Sequence, residues 1–93
     1  MRSVDYGSKF KRDVKREQRS PNNKYLNDEL NFVLNLLCSD TTLPEKFHDH
    51  ALKGKFSGKR ECHIKPDLLL IYFKVGEEII YLDRLGSHAE VFG

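Results

Sequence analysis

Six side chains in this sequence could handle a proton or a phosphate at neutral pH: His48, His50, His63, His88, Arg84 and Asp67. Four histidines with no tryptophan in 93 residues is a lopsided choice of side chains. Imidazole titrates at about pH 6.5, so it can take or give a proton under cellular conditions. Cleavage of RNA by its own 2′-hydroxyl asks for three groups. A base must remove the 2′-OH proton, an acid must protonate the departing 5′-oxygen, and a cation must stabilise the charge that builds on phosphorus. Two histidines and an arginine can supply all three. A guanidinium fork also matches phosphate oxygens in a way that a lysine point charge does not.

Taken singly, each residue has a plainer reading. His48 and His50 flank Asp49 in a stretch that reads as a loop, where Asp49 could form a turn. Asp67 after Pro66 is an ordinary turn residue, Arg84 could pair with Asp83, and His88 after Gly86-Ser87 could simply open a C-terminal turn. A zinc site is the obvious rival in a histidine-rich chain. Cys62 and His63 are adjacent on an expected strand, so their side chains leave by opposite faces and cannot share an ion. A site built from His50, His63 and His88 alone stays open on spacing.

The elements that must position these groups follow from periodicity. Residues 3–6 could be a short strand. From Ser8 to Arg19 the pattern is helical, with Ser8 as a possible cap and Phe10 and Val14 as an i, i+4 apolar pair among charges. Ser20-Pro21-Asn22 breaks that helix. A second runs from about Asn23 to Cys38, with Leu26, Leu30, Val33, Leu34 and Leu37 on one stripe. After an irregular stretch over 39–58 the period becomes two, predicting strands over 59–65, 67–74 and 78–84. The expected order is β-α-α-β-β-β, an α+β single domain over 1–93. Both N-terminal helices pack on one face of a mainly antiparallel sheet.

A two-residue turn at Pro66-Asp67 would pair His63 with Leu70 and Glu61 with Tyr72. That register puts Cys62, Ile64, Leu69, Ile71 and Phe73 under the helices. It leaves Glu61, His63, Lys65, Leu68, Leu70 and Tyr72 on the opposite face. A three-residue turn at Val75-Gly76-Glu77 keeps Arg84 out of the core and sets it beside Leu68, with Ile80 and Leu82 also outward. The outer face would then be greasy around Leu70, Tyr72, Ile80 and Leu82, as a partner-binding surface is.

Composition bounds the rest. With 39% hydrophobic and 32% charged residues the chain reads as an ordinary soluble protein. It has no apolar run long enough for a membrane and no leader-like start. Cys38 and Cys62 lie in apolar-patterned segments and read as buried thiols of a cytoplasmic protein. A net charge of +2 hides an asymmetry: residues 1–24 hold eight Lys/Arg against three acids, and residues 53–65 hold five against Glu61 alone. Two basic segments on a nearly neutral chain fit a surface for polyanions, or equally two solvated faces.

Three blocks then carry a resemblance: Asp49-His50-Ala51-Leu52-Lys53-Gly54, the run Arg60 to Tyr72 (RECHIKPDLLLIY), and Arg84 to Phe92 (RLGSHAEVF). In order and spacing they resemble the YafQ-type toxins of the RelE/ParE superfamily. The resemblance implies a RelE/ParE-like fold, cleavage of mRNA, typically on the ribosome, without a cofactor or metal, and neutralisation by a DinJ-like antitoxin. It implies functional roles for His50, His63, Asp67, Arg84, His88 and Phe92. His50 and His63 would serve proton transfer and orientation with Asp67 in support. Arg84 would hold the scissile phosphate, His88 would be the leading acid or base, and Phe92 would position a base. Lys53, Lys65 and Leu68 complete the expected substrate surface, Leu68 standing where the family often has tryptophan. The alternative in the same superfamily is a ParE-like gyrase inhibitor, which would not need several histidines and an arginine converging near the C-terminus. A small DNA-binding regulator rests on the basic segments alone.

Overall fold

The computed structural model describes residues 1–93. Its elements are β1 (Ser3–Tyr6), α1 (Ser8–Gln18), α2 (Leu26–Cys38), β2 (His50–Ala51), β3 (Arg60–Lys65), β4 (Leu68–Val75), β5 (Ile79–Gly86) and α3 (His88–Phe92). The sheet runs β1-β5-β4-β3-β2, with β1 parallel to β5 and the other neighbours antiparallel. The expected β-α-α-β-β-β order is present. To it the structure adds the two-residue β2 and the short α3, neither of which has a periodic apolar signal. Gly7 rather than Ser8 occupies the N-cap of α1, and Ser8 is already helical. A 3₁₀ turn, Pro21–Asn23, delays α2 until Leu26.

The apolar stripe of α2 and Phe10 of α1 bury one face of the sheet, and no helix is long and apolar enough to cross a membrane. Cys38 and Cys62 are buried and unbridged. Two β-bulges decide which strand residues face the helices. One lies between His63 and Lys65 and pairs His63 with Leu69 instead of Leu70. The other lies opposite Ile71/Tyr72, leaves Asp83 without a partner, and pairs Arg84 with Ile71 rather than Leu68. A one-residue slip turns every later side chain to the other face. Leu68, Leu70 and Tyr72 therefore join Cys62, Ile64, Ile80, Leu82 and Leu85 in the helix-packed core.

This corrects the expected faces of β4 and β5. Leu69 and Ile71, expected inside, lie on the outer face, where Val91 of α3, Leu52 and Phe92 cover them. Phe73, also expected inside, is only half-buried and stacks on Tyr81 at 4.8 Å between centroids. The greasy outer surface expected at Leu70, Tyr72, Ile80 and Leu82 is not there: all four are buried. Leu68 is only 4% exposed and cannot touch RNA, so its expected place on the substrate surface is withdrawn.

The parallel strand β1 ends at Tyr6, and the chain turns at Gly7 directly into α1. Gly7 N–H donates to Leu82 O at 2.9 Å, and a Cβ at this position would lie 2.7 Å from both Leu82 O and Tyr81 Oη. Leu82 O is backbone held in the sheet and cannot give way, whereas the Tyr81 ring would have to move. Gly7→Ala should lower stability by about 1–3 kcal/mol. Denaturant unfolding checks it, and a midpoint equal to that of the unsubstituted protein would mean that the β1–α1 corner is soft.

Candidate active site

The histidines come together from four elements of the fold. His48 closes the 3₁₀ turn Glu45–Phe47, His50 begins β2, His63 lies on the outer face of β3, and His88 opens α3. The rings of His48, His63 and His88 form a continuous run with Phe92 and Phe56. Centroids of His48 and His63 lie 5.4 Å apart, His63 and His88 6.1 Å, His88 and Phe92 5.8 Å, and Phe92 and Phe56 4.9 Å. Ser87 and Glu90 form a capping box on α3, which fixes the first turn and with it His88.

Glu61 is the anchor of this cluster. It is 4% exposed, and its Oε2 lies 3.3 Å from both His50 Nε2 and His63 Nε2. At the other side of each ring, His50 Nδ1 meets His48 O at 2.6 Å and His63 Nδ1 meets Pro66 O at 3.1 Å. Both imidazoles are therefore held at two points, one of them a buried carboxylate. Asp49, between His48 and His50, accepts from the Tyr72 hydroxyl and from Arg60 Nη2, which pins the loop where His48 takes a left-handed backbone at φ 47°.

Arg84 is held just as firmly. Its Nε donates to Asp13 Oδ2 at 2.7 Å, and its Nη2 donates to Glu90 O of α3 at 3.2 Å and more weakly to Asp13 Oδ1. Asp13, on α1, is 3% exposed and also accepts from Leu85 N–H and Arg16 Nη1. Arg16 Nη2 in turn donates to Leu85 O at 2.7 Å. Asp13 and Arg16 thus satisfy the backbone of β5 where β1 has ended, as a neighbouring strand would. Burial pushes the Asp13 carboxyl up. The hydrogen bonds from Arg84 and Leu85, with the charges of Arg84 and Arg16, outweigh it and hold the group below the usual carboxylate range. The Nε–Nη2 edge of the Arg84 fork is therefore engaged by protein, and Nη1 is the end left to meet a ligand.

The sequence-derived residues divide cleanly. His50, His63, His88 and Phe92 meet in one cluster, and Arg84 reaches it through Glu90 of α3. Asp67 is exposed at the β3–β4 turn, with no hydrogen bond from its carboxylate to any histidine. Lys53 is exposed, three residues after His50 in sequence. Lys65 Nζ donates to Asn22 O and Asn23 Oδ1, tying β3 to the turn before α2. Two residues with large roles, Glu61 and Asp13, had no role in the sequence reading. Strand parity already set Glu61 beside His63, and that was the available signal. Asp13 offered only its place as an acid within a basic helix. No three His, Cys, Asp or Glu side chains are arranged to hold a metal ion.

The profile of the family described as "Bacterial toxin of type II toxin-antitoxin system, YafQ" matches residues 2–93. The mRNA interferase toxin YafQ of Escherichia coli K12 is 36% identical over 93 residues, covering 99% of this chain and 97% of the relative. A copper-bound mutant toxin from Helicobacter pylori superposes with a TM-score of 0.88 at 39% identity, over 99% of this chain and 100% of that one. YafQ in the E. coli DinJ–YafQ complex superposes with a TM-score of 0.83 at 34% identity, over all of both chains.

Replacing Asp13 by Asn keeps the shape and one acceptor for Leu85 N–H but turns an amide toward the guanidinium. Stability should fall by about 2 kcal/mol or more, as for a buried ion pair that loses one charge. The sign with pH is set by the lowered carboxyl. Its contribution is fully present above about pH 4 and disappears as pH falls through the depressed folded value. Unfolding curves taken between about pH 5 and pH 2 should therefore lose part of their acid slope in the variant. An unchanged slope would show that Asp13 is not the group being protonated.

Proposed function

The chain belongs to the YafQ family of toxins of bacterial type II toxin–antitoxin systems and is an mRNA interferase, an endoribonuclease; on that premise we propose how its site cuts RNA. One observation carries the reading: His63 and His88 face one another at 6.1 Å beside an arginine whose fork is fixed by a buried carboxylate. At that separation both rings can reach opposite sides of one phosphodiester, His63 by giving up the 3.3 Å contact of its Nε2 with Glu61 while Pro66 O keeps hold of Nδ1. One imidazole takes the proton of the 2′-hydroxyl, and the freed oxygen attacks phosphorus. As the new P–O2′ bond forms, the P–O5′ bond breaks, and the other imidazole gives a proton to the departing 5′-oxygen. The products are a 2′,3′-cyclic phosphate and a 5′-hydroxyl, with no net redox change. Arg84 Nη1 donates to a non-bridging oxygen as charge accumulates there.

His50 orients the cluster through Glu61, which takes the supporting part first expected of Asp67. Phe92, wedged between His88 and Phe56, offers a ring to a neighbouring base. The Helicobacter relative holds copper, and no step above runs through a metal.

Exposed Lys9, Lys11, Arg12 and Lys15 on α1, with Lys53 three residues after His50, supply a field for RNA, and cutting on the ribosome in the cytoplasm fits that charge. The fold fits the RelE/ParE pattern, and by analogy with the E. coli complex a DinJ-like antitoxin is the partner. A gyrase-inhibitor reading leaves the histidine cluster without a purpose.

His88→Ala should leave the unfolding midpoint nearly unchanged and lower cleavage roughly 10²–10⁴-fold, the usual contribution of general acid–base catalysis. Wild-type cleavage by that variant would remove His88 from the mechanism. Arg84→Lys keeps the charge but loses the Nε–Nη2 grip on Asp13, so cleavage should fall while RNA affinity changes little. Equal rates for both residues would mean that a positive field suffices. Replacing Lys11, Lys15 and Arg19 together by Gln should weaken RNA or ribosome binding and flatten its salt dependence. An unchanged slope would make α1 an ordinary solvated helix.

A further inference from the structure

Behind the histidine-bearing loop, three side chains that take no part in the cleavage steps meet one another. Tyr72 of β4 and Arg60 of β3 are cross-strand partners, and Tyr72 lies in the helix-packed core. The Tyr72 hydroxyl donates to Asp49 Oδ1, Arg60 Nη2 donates to Asp49 Oδ2 at 3.1 Å, and Arg60 Nε donates to the Tyr72 oxygen at 3.3 Å. Tyr72 is 1% exposed, so the contact starts from a rigid base. Burial and the bond to Asp49 push its hydroxyl above the usual range, and it stays a donor wherever imidazoles exchange protons.

This network holds a strand that cannot hold itself. β2 is two residues long, His50 and Ala51 are both exposed, and β3 is its one neighbour in the sheet. Two paired residues at a sheet edge make a marginal ladder. The His50 ring is half-exposed, yet it is set 3.3 Å from Glu61 Oε2. Asp49, the residue before it, is drawn the other way by Tyr72 and Arg60. Successive side chains of an extended chain leave by opposite faces, so this anchor turns His50 toward Glu61. The same Glu61 oxygen lies 3.3 Å from His63 Nε2, the contact that His63 gives up in order to act on RNA. His50 makes that release easier, because a buried carboxylate that keeps one partner is not left bare when the other departs.

We propose that Asp49 and Tyr72 are positioning residues for cleavage: with Arg60 they keep His50 on Glu61, and His50 in turn frees His63 for the phosphodiester. The proposal rests on the reading of the cluster as an RNA-cleaving centre.

Tyr72→Phe removes the hydroxyl and keeps the ring in the core. Its kcat for mRNA cleavage should fall roughly ten- to a hundredfold, the loss expected of a misplaced catalytic group, with KM nearly unchanged. The same substitution made on top of His50→Ala should cost no more than about a factor of two, since the residue it positions is already gone. Asp49→Ala, at a side chain only partly buried, makes the same comparison without disturbing the core. In the free toxin the ring ¹⁵N and ¹H signals of His50 should move in both variants while those of His88 stay in place, which reads positioning with no RNA present. Equal losses with and without His50, the additive result of a hydroxyl that only stabilises the fold, would overturn the proposal. So would full kcat in both single variants, or His50 signals that do not move. Signals that move as expected in a toxin that cuts no RNA would leave the positioning standing and sink the cleavage mechanism instead.

Discussion

The carboxylate of Asp13 is the contact on which this structure turns. At 3% exposure it gathers Arg84, Arg16 and the Leu85 N–H. An isolated charge at that depth would be expelled or neutralised, so the three donors are a condition of its being there. Each donor ties down a different element. Leu85 belongs to β5, the strand beside the β1 edge of the sheet, Arg16 keeps α1 seated on that strand, and Arg84 reaches on to Glu90 in α3. The fold's last edge is thus closed by an ion-pair network rather than by a strand. The same network decides which end of Arg84 can meet a phosphate.

Glu61 does for the imidazoles what Asp13 does for the guanidinium. It reaches two histidines separated by thirteen positions in sequence, and it does so from within β3 itself, two residues from His63. A side chain held by two contacts loses little freedom when substrate arrives, which favours catalysis through preorganisation. The outer face of the sheet is consequently divided. Leu69 and Ile71 are covered by α3 and Phe92, and the polar remainder of that face is given over to the ring cluster.

Much of this was legible in the residues. The strand β1, the two helices and the three long strands were legible within a few positions, and strand parity put His63 on the outer face; Arg84 was set there by the cost of burying it, and it lies there because the bulge at Asp83 separates it from buried Leu82. What could not be read was the register. Two bulges each shift the pairing by one residue, and nothing in the alternation of apolar residues marks them, because β4 runs Leu68-Leu69-Leu70-Ile71-Tyr72-Phe73 without a polar break. A strand apolar on both sides gives no clue to which side is in. Hence Leu68, Leu70, Tyr72, Ile80 and Leu82 were expected outside and are found inside. β2 and α3 went unseen for another reason: two residues of pairing and one capped turn are too short to have a period. Buried acids such as Asp13 and Glu61 are recognisable only once their donors are known, and those donors lie up to seventy-two residues away.

The central claim is that this cluster cuts RNA through the 2′-hydroxyl, with histidines moving the proton and Arg84 bearing the charge. The most direct measurement compares two short RNA substrates, bound to the ribosome if the toxin needs it. They differ only in a single 2′-deoxy at the nucleotide 5′ to the cut, and the chemistry of the fragment ends is read by mass spectrometry. The all-ribose strand should yield a 2′,3′-cyclic phosphate or its hydrolysed 3′-phosphate together with a 5′-hydroxyl, and the deoxy strand should remain whole. Cleavage of the deoxy strand at that bond, or fragments ending in 5′-phosphate and 3′-hydroxyl, would contradict it.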